Sequence, residues 1–135
     1  MISRGVINVK QLIQSLGAPM PSGPYSQGVR AGNLVFVSGQ DGVNPDGSSA
    51  GDSMADQAAA SLENIKSILA AAGVDLSAIV YMTCHLSDLN HGTVAEFNQV
   101  YDNFFKEVEI KPARITVGSQ LLDVNVEISA IAVIE

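Results

Sequence analysis

Two one-sided helical stripes, each followed by a β-strand pattern, constrain the fold of this chain more than any other feature. Between Ser53 and Ala72 the apolar residues Met54, Ala58, Leu62, Ile65 and Leu69 recur every three or four positions, which lines one face of an α-helix. Ser53 can cap its start, with Asp56 three residues on, and Gly73 can stop its end. Thr93 to Val108 repeats the pattern with Val94, Phe97, Tyr101, Phe104 and Val108, and Thr93 with Glu96 reads as a capping box. A helix with a single apolar stripe must bury it against another element. Strand patterns supply that element at Leu34–Val37, Ala78–Leu86, Arg114–Ser119 and Val124–Ile134. In the second of these, Val80, Met82, Cys84 and Leu86 share one face, with Tyr81, Thr83 and His85 on the other. This order predicts an α+β fold, a sheet with both helices on one face. The other face then lacks a cover, and if apolar it should mediate oligomerisation.

Pro and Gly cluster between Gly17 and Pro24, an irregular segment, and Asn44 to Ser49 is a turn. Neither separates two core-sized pieces, so residues 1–135 read as one domain, with 1–16 an N-terminal extension or edge segment. Only 16% of residues are charged against 47% hydrophobic, which points to surface covered by a partner chain. Seven basic residues against fourteen acidic ones, with no basic run, argue against nucleic acid as a partner. An acidic surface also repels acidic small molecules, so a carboxylate site here needs a placed arginine. The single cysteine, Cys84, excludes an intrachain disulfide and suits a reducing, cytoplasmic setting. The first residues carry no long apolar segment of signal-peptide type, and no apolar run is long enough to span a bilayer, so no membrane partner is expected.

Arg114, Thr116 and Gly118 alternate with Ile115 and Val117, which puts Arg114 on the polar face of its strand. A guanidinium there can grip a carboxylate, although position alone favours an ordinary surface ion pair. Glu127 is the only charge in a strand rich in β-branched residues, facing the same way as Asn125 and Ser129. It reads equally as a solvated outer residue or as a carboxylate that activates water. Tyr25 lies in the irregular segment, and Ser38-Gly39-Gln40 ends a strand where glycine permits close approach of a ligand. Asn90 precedes the second helix, where capping is its ordinary role. His85, His91 and Cys84 form no metal-ligand spacing, and Cys84 falls on an apolar strand face. From the residues alone the reading ends at an α+β domain with a candidate small-anion site.

Several segments in order resemble the RidA (YjgF) family: Gly23 to Gly28, Val37 to Gln40, Gln57 to Ala72, Leu86 to Asn90, Pro112 to Arg114, and Val126 to Ala132. The resemblance implies a chorismate-mutase-like mixed sheet, assembled as a homotrimer with three pockets between subunits. It also implies hydrolysis of reactive 2-imino or 2-enamino acids to 2-keto acids and ammonia, without metal or organic cofactor. Arg114 matches the arginine that binds the substrate carboxylate, and Glu127 the glutamate that holds the attacking water. Tyr25, Ser38, Gly39 and Asn90 match pocket positions. Many relatives carry cysteine where this chain has Thr116, counted here as substrate-binding. The family also commonly has a Leu-Pro step where Leu122 meets Asp123, in a loop that is shorter here. These departures keep open a pathway-specific enamine deaminase of the 2-aminomuconate type. Two further readings are a non-catalytic small-carboxylate binder and a ribonuclease or translation inhibitor, the last opposed by the net charge of −7.

Overall fold

Val126, Ile128, Ala130 and Ala132 are buried while Glu127, Ser129, Ile131 and Val133 between them are half-buried. That period of two marks a strand with one face against a core. The computed structural model describes residues 9–135 and places this strand, β6 (Val126–Val133), inside a six-stranded sheet. The other elements are β1 (Lys10–Ile13), β2 (Gly28–Ala31), β3 (Leu34–Asp41), α1 (Met54–Ala71), β4 (Ile79–Leu86), α2 (His91–Phe104) and β5 (Ala113–Gly118), with one 3-10 turn at Leu76–Ala78. Strand order is β1-β2-β3-β6-β4-β5. All neighbours are antiparallel except β4 and β5, whose parallel pairing requires a crossover that α2 provides. The expected α+β fold, a mixed sheet with two helices on one face, is the one observed. Of residues 1–16, Lys10–Ile13 form the edge strand β1; residues 1–8 lie outside the described part.

The core lies between the sheet and the helices. Met54, Ala58, Leu62, Ile65 and Leu69 of α1 are all buried, as are Phe97 and Tyr101 of α2, and they meet Val35, Val37, Met82, Cys84, Leu86 and the inner residues of β6. The start of α1 is as expected: the Asp56 N–H donates to Ser53 Oγ at 3.0 Å. Gly73, with φ of 79°, takes the left-handed conformation that ends the helix.

Three expectations need correction. The second helix begins at His91 rather than Thr93, because the reciprocal cap joins Asn90 and Thr93: the Thr93 N–H donates to Asn90 Oδ1 and the Asn90 N–H to Thr93 Oγ1. Glu96, freed from the expected box, accepts the Ala55 N–H at the positive end of α1. In β4, a register shift between Ile79 and Tyr81 turns Val80 outward, 46% exposed, and Ile79 takes the core place expected for it. The second helix also ends at Phe104 rather than Val108, which lies beyond its C-cap Phe105.

Among the described residues, no element covers the face opposite the helices. Across it run Leu12, Val29, Phe36, Ile131 and Tyr81 in one row, with Ile115, Thr83 and Ser129 in the next. Phe36 is 40% exposed and Ile115 44%, so the face is apolar and open, as a surface that mates with another chain would be.

Candidate functional site

Glu127 stands on this open face in the middle of the sheet. Its cross-strand neighbours are Asp41 on β3 and His85 on β4, so three ionisable side chains lie side by side across β3, β6 and β4. An extra residue in β3, between Val37 and Gln40, bulges the strand at Ser38-Gly39 and brings the backbone of Gly39 against the Glu127 carboxylate. A Cβ on Gly39 would meet Glu127 Oε2 inside contact distance and lie 3.0 Å from Cδ. Glycine is therefore required by the carboxylate rather than by backbone torsion. Burial pushes the Asp41 carboxyl above the usual range, against a smaller opposing pull from a backbone hydrogen bond.

Two cavities share Glu127 and Gly39. One, of about 270 Å³, is walled by Tyr25, Pro19, Met20 and Asp41. The other, of about 390 Å³, is walled by His85, Ser119, Gln120 and Ser129. Of the residues singled out in the sequence, Tyr25, Gly39 and Glu127 thus come together in one protomer. Ser38 stands behind them: its N–H donates to Gln27 O at 2.9 Å and its hydroxyl to Ser26 O, which fastens the segment carrying Tyr25 to β3.

The sequence reading overlooked what holds this region in place. Gln27 is buried, and its side chain donates to the carbonyls of Ser15, Ala18 and Pro19 while accepting the Ser15 N–H. One amide therefore satisfies much of an irregular segment that has no strand or helix partners. On α1, Ser61, Asn64 and Gln57 donate to the carbonyls of Gln40, Val43 and Gly51, and Gln57 also accepts the Asn125 N–H just before β6. These buried polar residues sit beside an apolar stripe, and that interruption of a helix's inner face was the available signal.

Arg114 is elsewhere: the polar side of β5 expected from the alternation is the side that the helices cover. Arg114 pairs in register with Met82 and Thr116 with Cys84, both core residues, so Arg114 and Thr116 point to the helix-bearing side. The guanidinium lies 4.6 Å from the Tyr101 ring centroid and 5.4 Å from that of Phe97, and donates to Asn98 Oδ1 at 2.7 Å. The outer strand β5 is covered there by the π-faces of α2, which accept a cation, while its apolar residues Ile115 and Val117 occupy the open side. Beside Arg114, Thr116 Oγ1 and Tyr101 Oη are buried without a hydrogen-bond partner among the described residues. Burial pushes the Tyr101 phenol up to about 12, with the Arg114 charge pulling the other way. It pushes the Cys84 thiol to about 12 as well, which leaves it a packed, unreactive group.

Within one protomer, then, Arg114 and Glu127 occupy opposite faces of the sheet. Asn90 takes its ordinary role: its side-chain oxygen caps α2 and its amide donates to Asp88. Among the described residues no three His, Cys, Asp or Glu side chains converge as metal ligands, and no helix is long and apolar enough to cross a membrane.

Residues 15–134 match the family described as Endoribonuclease L-PSP. TdcF of Escherichia coli K12, provisionally named a reactive intermediate deaminase, is 43% identical over 128 residues, covering 93% of this chain and 98% of its own. A RutC family protein of Pyrococcus horikoshii is 42% identical over 127 residues, with 92% and 98% covered. The crystal structure of Escherichia coli TdcF with bound serine superposes with a TM-score of 0.87 at 41% identity, covering 93% of this chain and 99% of that one.

Proposed function

The chain belongs to the Endoribonuclease L-PSP (YjgF/RidA) family, and from that membership we propose that it hydrolyses reactive 2-imino or 2-enamino acids to 2-keto acids and ammonia. The observation that carries this reading is the Glu127 carboxylate, lying against Gly39 between two cavities on an open apolar sheet face. An imino acid offers a carboxylate beside an electrophilic C=N carbon. Glu127 positions a water against that carbon and accepts its proton. Arg114 holds the carboxylate and so fixes the angle of attack. Its guanidinium bonds a neutral amide oxygen, Asn98 Oδ1, which leaves its charge for an anionic ligand. Thr116 stands with Arg114 at that end of the site. A relative crystallised with serine, a small amino acid with the same carboxylate, is in keeping with this ligand class. No metal or organic cofactor is required.

Because Arg114 and Glu127 lie on opposite faces of one sheet, the site needs two protomers. Two different surfaces that meet in this way form a head-to-tail contact, which gives a ring where its rotation closes and not a two-fold dimer. The number of subunits in that ring comes from the family resemblance, which implies a homotrimer, with Arg114 of one protomer facing Tyr25, Gly39 and Glu127 of the next. The apolar open face supplies the area for it.

The test generates 2-iminobutanoate in place with a threonine dehydratase and measures keto-acid release. The protein should accelerate release, and Glu127→Ala should abolish turnover while leaving 2-keto-acid binding. Equal inertness of wild type and Glu127→Ala on this and on a ring-degradation enamine would leave only a carboxylate-binding role.

A further inference from the structure

Hydrolysis of an imine needs an acid as well as a base, because nitrogen leaves as an amine only once protonated. We infer that His85 is a second catalytic group of this site, the acid that protonates the departing nitrogen; the inference rests on the deaminase reading above. His85 is the register partner of Glu127 across β4 and β6, on the same face, and both line the cavity of about 390 Å³. The other residues of that cavity, Gly39, Ser119, Gln120, Leu121 and Ser129, carry no ionisable group. The ring is held as a proton donor requires. Nδ1 shares a 2.7 Å hydrogen bond with Ser119 Oγ, and the Ser119 N–H donates to Leu86 O, which anchors that residue to the end of β4. With Nδ1 engaged, Nε2 is the nitrogen left for the reacting centre.

The proton balance assigns each group one task. A water O–H bond breaks, its proton passes to Glu127, and its oxygen bonds to the iminium carbon while the C=N π pair moves to nitrogen. The imidazolium of His85 then protonates the amine of the carbinolamine. The C–N bond breaks with its electron pair on ammonia, the hydroxyl oxygen forms the C=O bond, and the hydroxyl proton returns to the imidazole. Glu127 gives its proton to the ammonia, which departs as ammonium. Among the described residues of the same protomer, the titratable groups near His85 are Glu127 opposite it on β6 and Asp41 beyond on β3; β5 presents Val117 to it, and both helices pack on the other face of the sheet.

The experiment measures kcat and KM against pH for wild type, His85→Gln, His85→Ala and Ser119→Ala on an imino acid generated in place. His85→Gln should lower kcat by roughly 10²-fold with KM little changed, and the fall in kcat on the alkaline side, where the acid loses its proton, should disappear. Imidazole in the buffer should restore part of the activity of His85→Ala, and Ser119→Ala should move the alkaline limb without removing it. Gel filtration and thermal melting verify that each variant is folded; should His85→Ala not fold, His85→Gln and Ser119→Ala decide. Wild-type turnover matched by His85→Gln, or a loss that is independent of pH and falls on KM, overturns the role of His85 alone. A wild type without turnover overturns the deaminase reading and the role of His85 together.

Discussion

Adding one methyl group at Gly39 separates the chemistry of Glu127 from the stability of the fold. The Cβ of Gly39→Ala would lie 3.1 Å from Glu127 Cγ, 3.0 Å from Cδ and closer still to Oε2. Carbon atoms rest about 3.5–4.0 Å apart, so the carboxylate must move by about 1 Å. Gly39 is not among the glycines with positive φ, so alanine fits its backbone, and the atoms it meets are the end of a flexible side chain. Loss of glycine entropy from the unfolded chain offsets part of the strain by about 0.4–1 kcal/mol. Stability should therefore change little. Catalysis should not be spared, because a displacement of about 1 Å in an attacking group lowers rates by roughly 10²-fold, or about 2.7 kcal/mol of barrier. Keto-acid release from an enzymatically generated imino acid gives kcat/KM, and a thermal melt gives stability. A variant within threefold of wild type in kcat/KM would refute the argument that Gly39 exists to seat the Glu127 carboxylate.

Three further outcomes are expected. Gln27→Leu removes the partner of four backbone groups in residues 15–19 and should destabilise the fold by about 2–3 kcal/mol in urea unfolding. The Asp41 carboxyl is raised in the folded protein, so folding is favoured at pH values where it is protonated and loses that contribution as pH rises through the folded value. Asp41→Asn should accordingly raise the urea midpoint relative to wild type at pH 7, and the difference should vanish near pH 3. Cys84, held near 12, should resist thiol reagents at neutral pH, with labelling that follows unfolding measured by circular dichroism.

The sequence made legible what depends on local period. The stripes of both helices, the four longer strands and the isolated Glu127 follow from spacing alone. β2 was missed and β1 was read only as part of an edge segment, because each is four residues long, at or beside a sheet edge, and β2 opens with glycine. The orientation of β5 was not legible because alternation reports which residues differ in polarity, not which side the helices cover. There the aromatic rings of α2 make the helix side hospitable to Arg114, and the apolar residues face the open side of the sheet. The row of Asp41, Glu127 and His85 could not be seen either, since it arises from the register of three strands distant in the chain and from a one-residue bulge.

Subunit mixing tests the central claim, that each site joins Arg114 of one protomer to Glu127 of another. Arg114→Ala and Glu127→Ala proteins, each inactive alone, are unfolded together in equal amounts and refolded. Every trimer containing both variants then has one site with both groups intact, so activity should return to about a quarter of the wild-type level. A mixture that forms mixed trimers and remains inert would contradict a site shared between subunits.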